Sequence, residues 1–396
     1  DASVIATTPA SMRLLDGTLV QGDVSAISFG AKFRGQGQYG NGAPISGGNG
    51  GDAGMIAPVP AAYFHVPFGE NDNMHFGASL TVPFGFKTEY DRDWVGRYNA
   101  VESDVKIVDL TLSGALDITD RFSVGLGVIA SRADVTLSKA VDIGSLLFAN
   151  PQTRPLPFAR PQAADGLAVV QGDDNGFGYI LGANLRPTDT LSIGVSYRSE
   201  IDYELTGTAD WTVPGNARAV FDSTTATSAL FQDGTALAEL TTPSILNIGV
   251  AWQVTDALML SATYAETNWS SMREVRIQFD NPDPDSVEPF EWKDTYFAAV
   301  GAEFKLNDSW KLRGGVAYDE TPTSLEHRTP RLPDANRIFY SVGATWAMSD
   351  AFDVNFAYTR IEPRNPRIDT TSGGSRVAGG FDGNANLFGV SAQYRF

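Results

Sequence analysis

What most limits how this chain folds is a period-two alternation of apolar and polar residues along nearly its whole length. Successive side chains of a strand point to opposite faces, so the alternation marks sheets with one apolar and one polar face. At 335–348, Ile338, Tyr340, Val342, Ala344 and Trp346 oppose Arg337, Phe339, Ser341, Gly343 and Thr345. The last segment sets Phe388, Val390, Ala392, Tyr394 and Phe396 against Gly389, Ser391, Gln393 and Arg395. Fourteen segments read this way: 23–35, 57–68, 74–90, 103–118, 121–137, 176–187, 190–206, 242–254, 257–270, 292–306, 309–320, 335–348, 351–363 and 384–396. Most exceed the roughly 5–6 residues of an ordinary strand and suit the roughly 9–11 tilted residues that cross a bilayer.

The connections alternate as strictly as the side chains. Short turns, such as Gly69 to Asn73, Thr119–Asp120, Thr255–Asp256, Asn307–Asp308 and Ser349–Asp350, take turns with long links at 36–56, 138–175, 207–241, 271–291, 321–334 and 364–383. Short turns at one rim and long loops at the other describe an outer-membrane barrel, and an even strand count puts both termini at the short-turn rim. A soluble sandwich has no reason to keep that order. The fold expected is all-β: a transmembrane antiparallel barrel of 14 strands, ending on an aromatic residue, Phe396. Isolated charges such as Arg198, Glu303, Arg313 and Arg337 on the polar face then line a lumen.

Composition excludes other classes. The net charge of −18 argues against nucleic acid. There is no cysteine, and His65, His75 and His327 share no ligand spacing, so no metal site and no cofactor is expected. No hydrolase or nucleotide-binding signature is present. The acidic run Asp280 to Asp285 lacks the spacing of a calcium loop and reads as solvated. The chain opens at Asp1 with no basic-then-apolar leader, as expected of a processed secreted chain.

One set of motifs is more specific. Trp292-Lys293-Asp294-Thr295-Tyr296 leads a strand, Leu312 to Asp319 follows, and Pro333-Asp334-Ala335-Asn336-Arg337 comes next. Earlier stand Pro83-Phe84-Gly85-Phe86, Asp109 to Ala115 and, near the start, Thr8-Pro9-Ala10. In this order the motifs resemble the FadL family of outer-membrane long-chain fatty acid transporters over essentially the whole chain. The family's usual Asn-Pro-Ala is Thr-Pro-Ala here, at Thr8, Pro9 and Ala10.

The resemblance implies passive uptake of a hydrophobic small molecule, fatty acid or hydrocarbon, with no enzymatic step. It implies capture in a groove among extracellular loops, binding in the lumen and sideways exit through a kinked strand. The division it implies is 1–22 as the end of an N-terminal hatch and 23–396 as the barrel, and it implies a monomer among outer-membrane lipid and lipopolysaccharide. Pro83 followed by Gly85 marks the kink, with Phe84 and Phe86 beside it, because proline cannot donate to a ladder and glycine in a strand marks a bulge. The loops at 138–175 and 207–241 carry the groove candidates Leu146, Leu147, Phe148, Phe158, Phe221, Phe231 and Leu237, since contiguous exposed apolar surface marks binding. Arg132 and Arg313 are candidates for a carboxylate head group. Arg132 faces the lumen only if a bulge follows Ala130. The alternatives are an aromatic hydrocarbon transporter of the same family, a general diffusion porin, and an outer-membrane lipid hydrolase.

Overall fold

A computed structural model describes residues 1–396. Strands β1 (Leu19–Phe29), β2 (Ile56–Phe68), β3 (Met74–Glu89), β4 (Glu102–Thr119), β5 (Phe122–Asp142) and β6 (Asp165–Thr188) form one side of the wall. Next, β7 comes in two halves, Leu191–Arg198 and Ile201–Thr212, and so does β8, Gly234–Thr242 and Ile245–Gln253. The circuit continues through β9 (Leu258–Thr267), β10 (Thr295–Lys305), β11 (Trp310–Asp319), β12 (Arg337–Ser349), β13 (Phe352–Pro363) and β14 (Ala385–Arg395). β1 pairs antiparallel with both β2 and β14, so the sheet closes on itself with 14 strands. Closure leaves no free sheet edge, which a strand structure in hydrocarbon requires.

The period-two code sorts the two faces. On β4, Leu110, Leu112, Leu116 and Ile118 are exposed on the outside, while Ser103, Asp109, Thr111 and Ser113 are buried on the inside. On β5 the outward apolar row runs through Phe122, Val124, Leu126 and Val128 and gives way to Arg132 and Asp134, which marks the outer limit of the bilayer. Outward aromatics pair near both limits: Trp310 stacks on Trp346 at 5.8 Å on the short-turn side, and Tyr296 lies tilted against Tyr318 at 5.7 Å on the other. Such girdles suit rings that want one side apolar and the other wet.

The strands differ from the sequence reading in several places, mostly above the bilayer. The first barrel strand begins at Leu19 and leaves the wall after Phe29. Lys32–Tyr39, whose first four residues were read as the end of the first barrel strand and the rest as a loop, then joins Pro44–Ile45, Arg367–Ser372 and Ser375–Asp382 in a separate sheet over the extracellular rim. That cap has its own core of Phe33, Tyr90, Trp94, Val377 and Phe381, which gives it a reason to fold. β5 and β6 also pair beyond the bilayer, as far as Asp142↔Asp165, so the link between them is shorter than 138–175.

Residues 1–18 lie inside the barrel. Helix α1 (Val4–Thr7) and a 3₁₀ turn (Pro9–Leu14) rest on the inner faces of β3 to β7. Pro9 opens that turn, where its missing N–H costs nothing.

Candidate functional site

Three features are candidates for handling a ligand: an extracellular groove, an interruption of the wall, and the segment inside the lumen. The groove comes first. Helix α2 (Ile143–Ala149) follows β5 and α3 (Gly215–Phe221) follows β7. Asp142 caps α2, accepting from the Ser145 N–H at 2.8 Å, and also accepts from the Tyr39 hydroxyl at 2.5 Å. Burial and that carboxylate push the Tyr39 phenol up to about 12. The two helices pack through Ile143, Leu147, Ala217 and Phe221. Together with the hairpin Glu274–Phe279/Ser286–Pro289 they enclose a cavity of about 640 Å³.

Leu146, Leu147, Phe221 and Phe231 line this cavity, so two loops distant in sequence meet there. Phe158 packs beneath it, against the same cluster. Phe148 is exposed outside it, under the Arg154 guanidinium at 5.0 Å, and Leu237 is exposed on β8. Two cations at the cavity were not anticipated: Lys139 and Arg331. Arg331 is buried and donates to Glu102 O at 3.1 Å, Ser103 Oγ at 3.0 Å and Ser138 O at 3.3 Å, while Lys139 donates to Ser286 Oγ at 2.9 Å. Lys139 stands above the bilayer limit. Burial, then the neighbouring Arg331 charge, lowers its pKa, and the acid that opposes this is Glu288. Of the cavity's own acids, Asp283 is taken up by the Phe231 N–H at 2.9 Å and Asp285 by Arg276 at 3.2 Å. The acidic run 280–285 thus holds loops together.

The wall interruption lies between β2 and β3. Their ladder stops at Ala62↔Leu80, so Ile56–Ala61 and Thr81–Thr88 face each other unpaired, up to Glu89, whose N–H donates to Ala53 O at 3.2 Å. β3 carries one extra residue here, because Thr81 pairs with Asp109 and Phe84 already with Ile107. That is a bulge at Val82-Pro83. It turns Phe84 and Phe86 inward and leaves Pro83 and Gly85 on the edge facing β2. Phe29 N donates to Met55 O, which places odd-numbered residues of β2 on the β1 side and even-numbered ones on the β3 side. Pro58 and Pro60 therefore point their missing N–H groups at the gap, as Pro83 does from across it. Two prolines at a spacing of two are a readable sequence signal for this edge, one that the reading of the strands passed over. Outside the gap stand Leu80 and Leu110 below, Lys87 and Lys106 above, so its lower part opens at hydrocarbon depth.

Inside, the N-terminal segment is pinned by its backbone. Ser113 Oγ donates to Ile5 O at 2.8 Å and Ser123 Oγ to Ala10 O at 2.7 Å. Thr8 Oγ1 reaches Ser196 Oγ at 3.4 Å. Pro9 and Ala10 lie on Gly125 and Gly182, where a Cβ at Gly125 would stand 2.5 Å from Ala10 N. Above this segment, Asp109 of β4 meets Arg198 of β7 at 2.7 Å, both buried.

Of the two arginines singled out from sequence, Arg313 faces the lumen near the short-turn rim. There it pairs with Glu303 at 2.7 Å and donates to Thr345 at 2.7 Å. Arg132 faces outward and pairs with Asp173 at 2.8 Å. No bulge follows Ala130, since β5 runs in unbroken register with β4 and β6 there.

The entire chain, residues 1–396, matches the family described as outer membrane protein transport protein (OMPP1/FadL/TodX). The chain belongs to this family. It is a bacterial outer-membrane barrel of a non-enzymatic family that transports hydrophobic compounds. The transporter is 27% identical to the long-chain fatty acid transport protein of Salmonella typhi over 87% of this chain and 79% of that one. The crystal structure of a Pseudomonas aeruginosa FadL homologue superposes with a TM-score of 0.92, at 29% identity over 100% of this chain and 94% of that one. The Ralstonia pickettii toluene transporter TbuX shares the fold, with a TM-score of 0.70 at 21% identity over 100% and 94%.

Proposed function

We propose that this transporter takes up long-chain fatty acids, capturing them in the extracellular groove and releasing them sideways through the gap between β2 and β3. One observation carries the choice of an acid over a neutral hydrocarbon: the apolar groove ends on two cations, the partly buried Lys139 and the buried Arg331. A chain in the groove gains about 0.8 kcal/mol per buried CH₂, which any hydrocarbon also gains. The head group adds selectivity, because a charge-assisted hydrogen bond contributes roughly 1.5–3 kcal/mol. Exit into the bilayer is downhill for the chain and needs no energy source.

The test is binding of a long-chain acid, its methyl ester and an alkylbenzene to purified protein in detergent. The acid should bind tighter than the ester by roughly ten- to a hundredfold. Lys139→Met should remove most of that preference. Equal affinity for acid, ester and alkylbenzene in the parent would replace the acid reading with a hydrocarbon one.

A pH dependence follows. Lys139 is held below the ordinary lysine range by burial, so its charge is lost at a lower pH than that of a free lysine. Acid binding should therefore weaken as pH rises, below the pH at which an ordinary lysine discharges, while ester binding stays level. Lys139→Arg keeps its charge there and should flatten the acid profile. An acid profile in the parent as flat as in Lys139→Arg would remove Lys139 from the site.

A further inference from the structure

Arg198 is 9% exposed, and its Nη1 meets Asp109 at 2.7 Å. Its Nε and Nη2, also buried, have no protein partner. These two nitrogens carry parallel N–H bonds and form the side-on fork of the guanidinium, which matches the two oxygens of a carboxylate. The Phe84 ring lies 5.9 Å from the guanidinium carbon. Phe84 follows the β3 bulge and borders the wall gap. The other carboxylate oxygen of Asp109 accepts from Ser131 Oγ at 2.6 Å, and Ser131 in turn meets the Tyr203 hydroxyl at 2.7 Å.

We infer that the Arg198 fork is a carboxylate-binding site at the inner mouth of the gap, with Phe84 as the side chain a ligand displaces, and that binding takes up one proton. The inference rests on the acid reading above, and adds a station and a proton to it. The charge count requires the proton. Asp109 and Arg198 cancel, so a ligand carboxylate brings a net negative charge into a buried site. The groups facing it are Asp109 from β4, Ser131 from β5, Arg198 and Tyr203 from β7, and Phe84 from β3. Arg198 stays charged, and a neutral tyrosine has no proton to gain. Two carboxylates on one guanidinium disfavour double ionisation, so the pair shares one proton drawn from water. When that proton stays with the ligand, the molecule leaving through the gap is a neutral acid, and the Asp109–Arg198 pair re-forms behind it. A neutral acid avoids the cost of carrying a charge into hydrocarbon.

The experiment is calorimetric titration of the protein with a long-chain acid and its methyl ester, in buffers of different ionisation enthalpy at fixed pH. The acid should bind with uptake of close to one proton and the ester with none. Asp109→Asn should abolish the uptake and tighten acid binding severalfold, because a repelling charge is gone. Arg198→Lys keeps the charge without the fork and should weaken the acid more than the ester. Should single changes at this pair unfold the barrel, Asp109→Asn with Arg198→Gln removes both charges and with them the fork, so acid binding should weaken more than ester binding. Proton uptake unchanged in Asp109→Asn, or acid binding unchanged in Arg198→Lys or in the double variant, overturns this site. Acid preference that is kept there but lost in Lys139→Met leaves the groove reading standing. Absence of acid preference in the parent ends both.

Discussion

Deleting Pro83 while changing Pro58→Val and Pro60→Val should stop uptake and leave ligand binding at the loops intact. The deletion removes the extra residue that shifts β3 against β4, so Val82 takes the outward position and Phe84 stays inward opposite Ile107. It also removes one of the three missing donors at the gap. The two valines restore the others on the β2 edge, where even-numbered residues face β3. The ladder that now ends at Ala62↔Leu80 can then continue toward Ile56. Each added hydrogen bond contributes about 0.5–1.5 kcal/mol, and valine fits a strand better than proline, so thermal stability should rise. Uptake of radiolabelled fatty acid by cells should drop to that of cells lacking the protein. If the closed variant transports as well as the parent, the ligand does not leave between β2 and β3.

A second large effect is expected from Gly125→Leu. A side chain at this position points into the lumen, where even the first carbon would meet Ala10 N at 2.5 Å and the Pro9 carbonyl carbon at 2.7 Å. Both obstacles are backbone, so no rotamer change relieves them. The segment loses its seat, and with it the bond from Ser123 Oγ to Ala10 O. The strands around Gly125 keep their ladder, Ala115↔Gly125 and Gly125↔Gly182, so the barrel itself should persist. In planar bilayers the parent should conduct ions poorly and Gly125→Leu should give large, steady openings. A form lacking residues 1–18 provides the reference conductance. Parent-like conductance in Gly125→Leu would mean that residues 1–18 do not seal the lumen.

The two expected effects differ in how far the sequence announced them. The bulge at Pro83 was legible because proline and glycine act on their own strand, whatever lies beside it. Pro58 and Pro60 were legible in the same way, since a spacing of two puts both missing donors on one edge. The seat of the N-terminal segment was not. Nothing local ties Gly125 and Gly182 to Pro9 and Ala10, and an inward glycine reads the same whether it faces water or backbone. The shared break of β7 and β8 at Ser199–Glu200 and Pro243–Ser244 was also hidden, although it reverses which residues face inward. The period-two rule assumes a fixed pleat, and matched irregularities in paired strands break that assumption without breaking their pairing.

What the sequence determined by itself is the barrel: its strand number, its lipid-facing residues, its order of short and long connections, and its family. These follow from a one-dimensional rule, because every outward residue meets the same hydrocarbon and every strand must cross the same thickness. The partners across the lumen were decided only by the tertiary structure. Arg132 turned outward because β5 carries no bulge after Ala130, and Arg313 faced inward but met Glu303. Lys139 and Arg331, far apart along the chain, converge on one cavity because an extracellular loop folds back over the rim. Inside a closed wall each residue faces other residues rather than a uniform solvent, and which ones it meets is fixed only by closure.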